Sequence, residues 1–434
     1  GPASTEPTTE PTTATTEPTT AATEPITEET IITAPLSDRI DLAEPVFSNP
    51  TSINNPLFPI SALAQVIQLG SEAGAAVRTE VTLLPETRII EWNGTQVETL
   101  VSQFTAFHDG RVVEVAVDYF AQADDGSVWY FGEDVTNYEE GLIINHDGTW
   151  RAGTDGPPGM IMAADPMVGD VYRPENIPGF VFEEVTVKAV DQIVDGPRGP
   201  VEGAIMVQEL LMDGLLEDKT FAPGYGEFYF AVPVEEEFVD MGIAVPVDAL
   251  DESVPKELTT IHTSANEVFD AAESQDWTAI GSSVEAMTTA WDSYAGGALP
   301  PHLIEQMGAA LELLGAGVDE KDPAAVRQGA VDVDYATLDL QLQYSPPAEI
   351  DLARMDRWAR QVQIDVEAED AGAVAGDVVV LTAIWDRVIH TVDPAVAASV
   401  DEALLGLRRA ADAGDLTAAA DAATMLQTSV AAAS

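Results

Sequence analysis

The chain has 434 residues, 75 Asp and Glu against 18 Lys and Arg, a formal net charge of -57 and no cysteine. The missing sulfur excludes disulfides, thiolate zinc sites, haem attachment and a cysteine nucleophile. The charge excludes nucleic acid and anionic lipid surfaces as partners and leaves cations, basic proteins and neutral glycans.

A compact protein of this mass exposes roughly 16,000 Å², which spaces the net charges about 17 Å apart. Screening at physiological salt reaches only about 8 Å, and at 0.01 M about 30 Å, so the fold should tolerate salt and suffer without it. Lysine occurs only at Lys188, Lys219, Lys256 and Lys321. Acid-rich, lysine-poor composition is the halophilic-like habit of salt-adapted proteins, and it reads first as a solvent adaptation.

Residues 1–37 form the first unit, a Thr/Glu/Pro-rich spacer whose repeats run from Thr5 to about Pro35. Proline, charge and the scarcity of large apolar side chains keep such a segment extended and without a core. Gly1-Pro2 reads as a cleavage remnant, which places a signal peptide and an anchor, possible as a lipidated cysteine, upstream. No apolar run of about 20 residues is present to cross a membrane. The expected location is extracellular or at the cell surface, tethered through the spacer.

Residues 38–253 are expected to form an antiparallel β domain. From Arg111 to Tyr119, Val113, Val115 and Val117 alternate with Glu114, Ala116 and Asp118, the period of a strand. Asp109-Gly110, Asp125-Gly126 and Asp147-Gly148 mark hairpins, because Asp and Gly tolerate the positive φ of tight turns. Apolar runs from Val181 to Val194 and from Val201 to Leu216 flank a further turn at Asp195-Gly196-Pro197. A meander curled into a barrel, half-barrel or sandwich follows.

Residues 254–434 are expected to be all-α, giving an α+β chain of two segregated domains. Leu352, Met355, Trp358, Val362 and Val366 line one helix face. Pro301, Pro323, Pro347 and Pro394 stand where helices should start, with Asp322 and Asp393 as N-caps before two of them. Asp276, Asp322, Asp370 and Asp415 recur roughly every 46 residues, and Trp291 matches Trp385 at twice that period. The pattern predicts about eight helices built as a duplicated four-helix unit.

Three constellations carry candidate chemistry. Asp124, Asp125, Glu133 and Asp134, with Glu139 and Glu140 nearby, supply the hard oxygens that Ca2+ takes. Met160, Met162 and Met167 near His146 offer soft ligands to copper, the less favoured metal. Trp129, Tyr130, Phe131, Tyr138, Trp150 and Tyr172 are candidates to line a ligand pocket or a carbohydrate platform. No P-loop, nucleophile elbow or H-E-x-x-H motif occurs, and the five histidines never sit three or four apart.

The block VWYFGEDV at Val128 to Val135, followed by W-x-A-G-x-D-G at Trp150 to Gly156 and a Pro158 to Arg173 segment ending GDVYR, carries a resemblance. It resembles a family of uncharacterised secreted bacterial β-domain proteins with the signature VWYFGEDV, WxAGxDG and PGIxMPAxPxVGDxYR. TFAPGYGEFYF at Thr220 to Phe230 is similar to that family's closing segment, and Ala164 stands where the family has proline. The helical half resembles helical domains of envelope lipoproteins. The resemblance implies a fold and a secreted location and carries no activity. The expected function is non-catalytic binding of a ligand or partner at the cell envelope. A structural or adhesive surface component is the first alternative, and a metal-assisted hydrolase the second.

Overall fold

A computed structural model describes residues 32–433. Fourteen strands form one antiparallel sheet: β1 (Gln65–Glu72), β2 (Ala75–Trp92), β3 (Thr95–His108), β4 (Arg111–Gln122), β5 (Val128–Glu139), β6 (Leu142–Asn145), β7 (Trp150–Arg151), β8 (Gly159–Met162), β9 (Val171–Ile177), β10 (Val181–Gly196), β11 (Gly199–Leu211), β12 (Leu216–Ala222), β13 (Gly226–Val232) and β14 (Glu237–Val245). Eight helices follow: α1 (Lys256–Glu273), α2 (Trp277–Tyr294), α3 (Pro301–Glu320), α4 (Pro323–Gln341), α5 (Pro347–Glu367), α6 (Ala371–Val388), α7 (Pro394–Ala413) and α8 (Leu416–Ala431). The fold is therefore α+β with the strands and the helices in separate parts of the chain.

The strand order is β6-β5-β4-β3-β2-β1-β14-β13-β12-β11-β10-β9, with β7 and β8 both paired to β5. Along that path every neighbour except β1 and β14 is also a neighbour in sequence, the meander that Asp109-Gly110 and Asp125-Gly126 predicted; Asp147-Gly148 instead joins β6 to β7, which both pair with β5 rather than with each other. A single sheet removes the sandwich, and the ladder does not close into a barrel. It nevertheless curves far enough that β8 lies against β9 from the opposite end. Gly159 permits that approach, because a Cβ there would collide with the carbonyl of Pro174. A half-barrel results.

Most of the spacer, residues 1–31, lies outside the described residues. Near its end Ala34 N–H donates to Glu184 of β10 at 2.6 Å, and just beyond the spacer Ile40 N–H donates to the carbonyl of Val171 on β9 at 2.9 Å.

The helices cover the outer face of the sheet around β1–β4 and β14. Ile67, Ile243 and Val245 pack into the core of α1–α4, while Phe107 and Val112 pack into that of α5–α8. Within the first four helices α1 packs on α2 and α4, and α3 on α4; in the second four, α5 packs on α6 and α8, and α7 on α8. The same arrangement occurs twice, as the spacing of the four aspartates predicted. Each of those aspartates caps a helix, Asp276 accepting from Thr278 and Ala279 N–H, Asp322 from Ala324 and Ala325, Asp370 from Ala373 and Asp415 from Ala418.

Sheet and helices are also joined by a buried ionic network. Arg78 reaches Asp339 at 2.6 Å and Glu80 at 2.8 Å, Arg387 reaches Glu80 at 2.7 Å, and Arg354 reaches Asp339 at 2.6 Å and Asp351 at 2.8 Å. Burial opposes ionisation of Glu80 and Asp339, but the surrounding guanidinium groups win and hold both carboxyls below their ordinary range. The helices thus brace one side of the sheet, and the inner face of the half-barrel is left free to line a cavity.

Candidate functional site

The inner face lines a half-open cavity of about 390 Å³. Its position follows from the pleat. Along β4 the residues of one parity, Glu114, Ala116, Asp118 and Phe120, line the cavity, as do Ser102 and Phe104 on β3 and Val81 and Leu83 on β2. The face of β4 that the alternation would assign to solvent is the one that faces inward. Across the sheet, Leu83, Ser102, Asp118 and Glu133 are successive register partners and form a row.

One wall of the cavity is aromatic. Phe58 meets the edge of Phe120 at 5.1 Å, Phe120 stacks on Tyr130 at 4.9 Å, and Tyr130 meets Trp150 edge-on at 5.5 Å. Polar tips tie these rings to acids: Tyr130 OH donates to Asp118 at 2.8 Å, and Trp150 Nε1–H donates to Glu175 at 2.7 Å.

The other lining groups are carboxylates in unusual number. Glu114, Asp118, Glu133, Glu175, Glu183, Glu217 and Glu227 face the cavity together with one cation, Lys219. Lys219 is held by Glu209 at 2.8 Å, Glu227 at 3.4 Å and Glu217 at 3.6 Å. Burial alone would lower its pKa, but these acids raise it well above the ordinary lysine value, so it stays charged.

Among the described residues no cation pairs with Glu114, Asp118, Glu133, Glu175 or Glu183, and the carboxyls around the cavity are raised. Burial raises the Asp118 carboxyl to about 7, with Glu114 and Glu175 adding to the rise and the Tyr130 hydrogen bond opposing it. Glu175 is raised by burial to about 7 despite hydrogen bonds from Trp150 and Glu133. Glu217 reaches about 7 through burial, opposed by Lys219. Glu133 and Glu183 are pushed well up, first by burial and then by the charges of Asp118 and Glu209 respectively. Carboxyls raised in this way around one cavity are able to hold protons or to take up a cation.

The structure disperses most of the residues singled out from sequence. Asp124 caps Ser48, accepting from its N–H at 2.8 Å and its hydroxyl at 2.7 Å, while Asp125 accepts from the Ser127 N–H and hydroxyl at 2.9 and 2.6 Å. Asp134 points away from Glu133, bound by Tyr119 OH at 2.7 Å, Arg151 at 2.6 Å and Arg88 at 3.2 Å. His146 Nδ1 lies 2.8 Å from the Val135 carbonyl. Met160 and Met162 are core residues, and Met167 is exposed. These groups do not converge on a calcium or copper shell; among the described residues no cluster of three or more His, Asp or Glu is arranged to hold a metal ion.

Of the six aromatics, only Tyr130 lines the cavity. Trp129, Phe131, Trp150 and Tyr172 are packed in the half-barrel core, where Trp150 orients Glu175, and Tyr138 packs against the second helical core. Sequence reasoning missed Ser102, Glu114, Asp118, Glu175, Glu183, Glu217 and Lys219 as site residues. A signal was available in the acids and the rare lysine placed at alternate positions inside otherwise apolar strands. Among the described residues, no histidine lines the cavity. No helix there is long and apolar enough to cross a membrane.

The chain matches no protein-family model and no curated protein at a significant level.

Proposed function

We propose that the chain is a non-catalytic binding protein whose half-barrel encloses a small-molecule ligand, with the helical part bracing the sheet from outside. The observation that carries this reading is the cavity of about 390 Å³, which falls in the size range of small-molecule sites and combines an apolar wall with charged and polar groups. The Thr/Glu/Pro-rich spacer and the resemblance to secreted β-domain proteins support a place at the cell surface, with the spacer as tether.

Native mass spectrometry of protein purified from its own host tests this reading. A stoichiometric organic adduct is expected. Bare protein assembled into defined oligomers would overturn it in favour of a structural surface component.

A further inference from the structure

The charge balance of the cavity is incomplete in a way that specifies its occupant. Lys219 is already shared by Glu209, Glu217 and Glu227. Glu114, Asp118, Glu133, Glu175 and Glu183 therefore face the same cavity with no cation of their own, and Asp118 and Glu133 stand directly opposite each other across β4 and β5. Like charges in that relation destabilise a sheet unless something neutralises them.

A second, independent observation lies beside them. Ser102 lines the cavity, is fully buried, and its Oγ has no hydrogen-bond partner, although it is the register partner of Asp118. A buried hydroxyl left unpaired is unfavourable, and a hydroxyl can accept from an N–H donor placed in the cavity.

A bare metal ion does not fit this arrangement. It needs several oxygens converging on one point, and the acids are distributed around the wall rather than gathered. Much of the remaining lining is apolar, supplied by Phe58, Ile60, Leu63, Leu83, Phe104 and Phe120.

We propose that the cavity binds an organic amine, its ammonium group placed among Asp118, Glu133 and Glu175 with Ser102 Oγ as a further acceptor, and its apolar body against the aromatic wall. This inference rests on the reading of the half-barrel as a ligand-binding site and names the class of ligand. The ammonium supplies the charge that the protein lacks, and the rings add cation–π attraction. Because the carboxyls carry protons near neutrality, binding of the cation expels them.

Isothermal titration of the full chain with octylamine, octanol and octanoate at pH 7 separates the possibilities. Octylamine is expected to bind one to one, at least tenfold more tightly than octanol, with no binding of octanoate. Its apparent enthalpy is expected to differ between phosphate and Tris buffers because protons are released. Asp118→Asn with Glu133→Gln is expected to abolish the preference for octylamine while leaving octanol binding within threefold. Equal affinity for amine and alcohol, or tighter binding of octanoate, would overturn the amine assignment and leave the ligand-binding reading standing. Failure of all three probes to bind would overturn both.

Discussion

Asp118 on β4 and Glu133 on β5 are register partners, two carboxyls facing each other across adjacent strands on the inner face of the half-barrel. Such a pair is favoured in the folded protein only with a proton or a counter-ion, and burial, followed by the charges of neighbouring acids, pushes both carboxyls up toward the protonated form.

That relationship sets the direction of the pH dependence. In the folded chain Asp118, Glu175 and Glu217 keep their protons up to about pH 7. The same groups unfolded release them near pH 4. Between those limits the folded state binds more protons, so stability falls as pH rises through the window. Burial lowers His262, but the hydrogen bond and charge of Asp334 outweigh it and leave the imidazole raised, and His302 is raised chiefly by Asp240. Both lose stabilisation as pH rises above about 6.5, the same direction. The melting temperature of ligand-free protein is expected to be at least about 4 °C higher at pH 5.5 than at pH 8, the equivalent of about 2 kcal/mol for a unit of this size. Asp118→Asn should shrink the difference. A melting temperature that rises from pH 5.5 to pH 8 would contradict the raised values.

Arg354 tests the joint between sheet and helices. Fully buried, it bridges Asp339 and Asp351, and Asp339 in turn meets Arg78 from β2. Arg354→Met leaves buried carboxylates short of a partner, which costs about 3–5 kcal/mol. Lys256→Met, which removes an exposed pair with Glu257, should cost less than about 1 kcal/mol. Urea unfolding of both variants provides the comparison. Equal losses would show that the network contributes no more than a surface pair.

Salt and divalent cations test whether the acidity is a solvent adaptation. Raising NaCl from about 0.01 M to about 1 M should raise the melting temperature, because screening shortens from about 30 Å to about 3 Å. Ca2+ and Mg2+ at matched ionic strength should act alike, since the candidate calcium ligands are engaged elsewhere, Asp124 with Ser48 and Asp134 with two arginines. Thermal melts in each salt read this out. A much larger effect of Ca2+ would reveal a specific site.

What was legible in the sequence is what local chemistry determines. A capping aspartate bonds N–H groups two or three residues on, and an Asp-Gly turn closes within four, so helix starts and hairpins announce themselves. Eight helices, their duplication and the meander were read on those grounds. The cavity was not legible, because it is assembled from positions far apart. Asp118, Glu175 and Glu217 share one volume only after the sheet has curved and brought β8 against β9. The aromatic block lies in the right region, but its rings act through their polar tips: Trp150 through its hydrogen bond to Glu175, and Tyr130 through Asp118. Glu133 and Asp134 looked like one carboxylate pair. Adjacent residues on a strand point to opposite faces, and only Glu133 enters the cavity.

The central claim is that the half-barrel interior holds a ligand, and a cavity-blocking substitution tests it most directly. Leu83 lines the cavity and is half-buried, so Leu83→Trp fills the volume from one wall. Native mass spectrometry of wild type and Leu83→Trp, expressed in the same host and matched for circular dichroism and melting temperature, compares their bound mass. The account predicts a stoichiometric organic adduct on the wild type that is lost from at least nine tenths of the variant. An adduct retained equally by both proteins would place the ligand elsewhere and contradict the account.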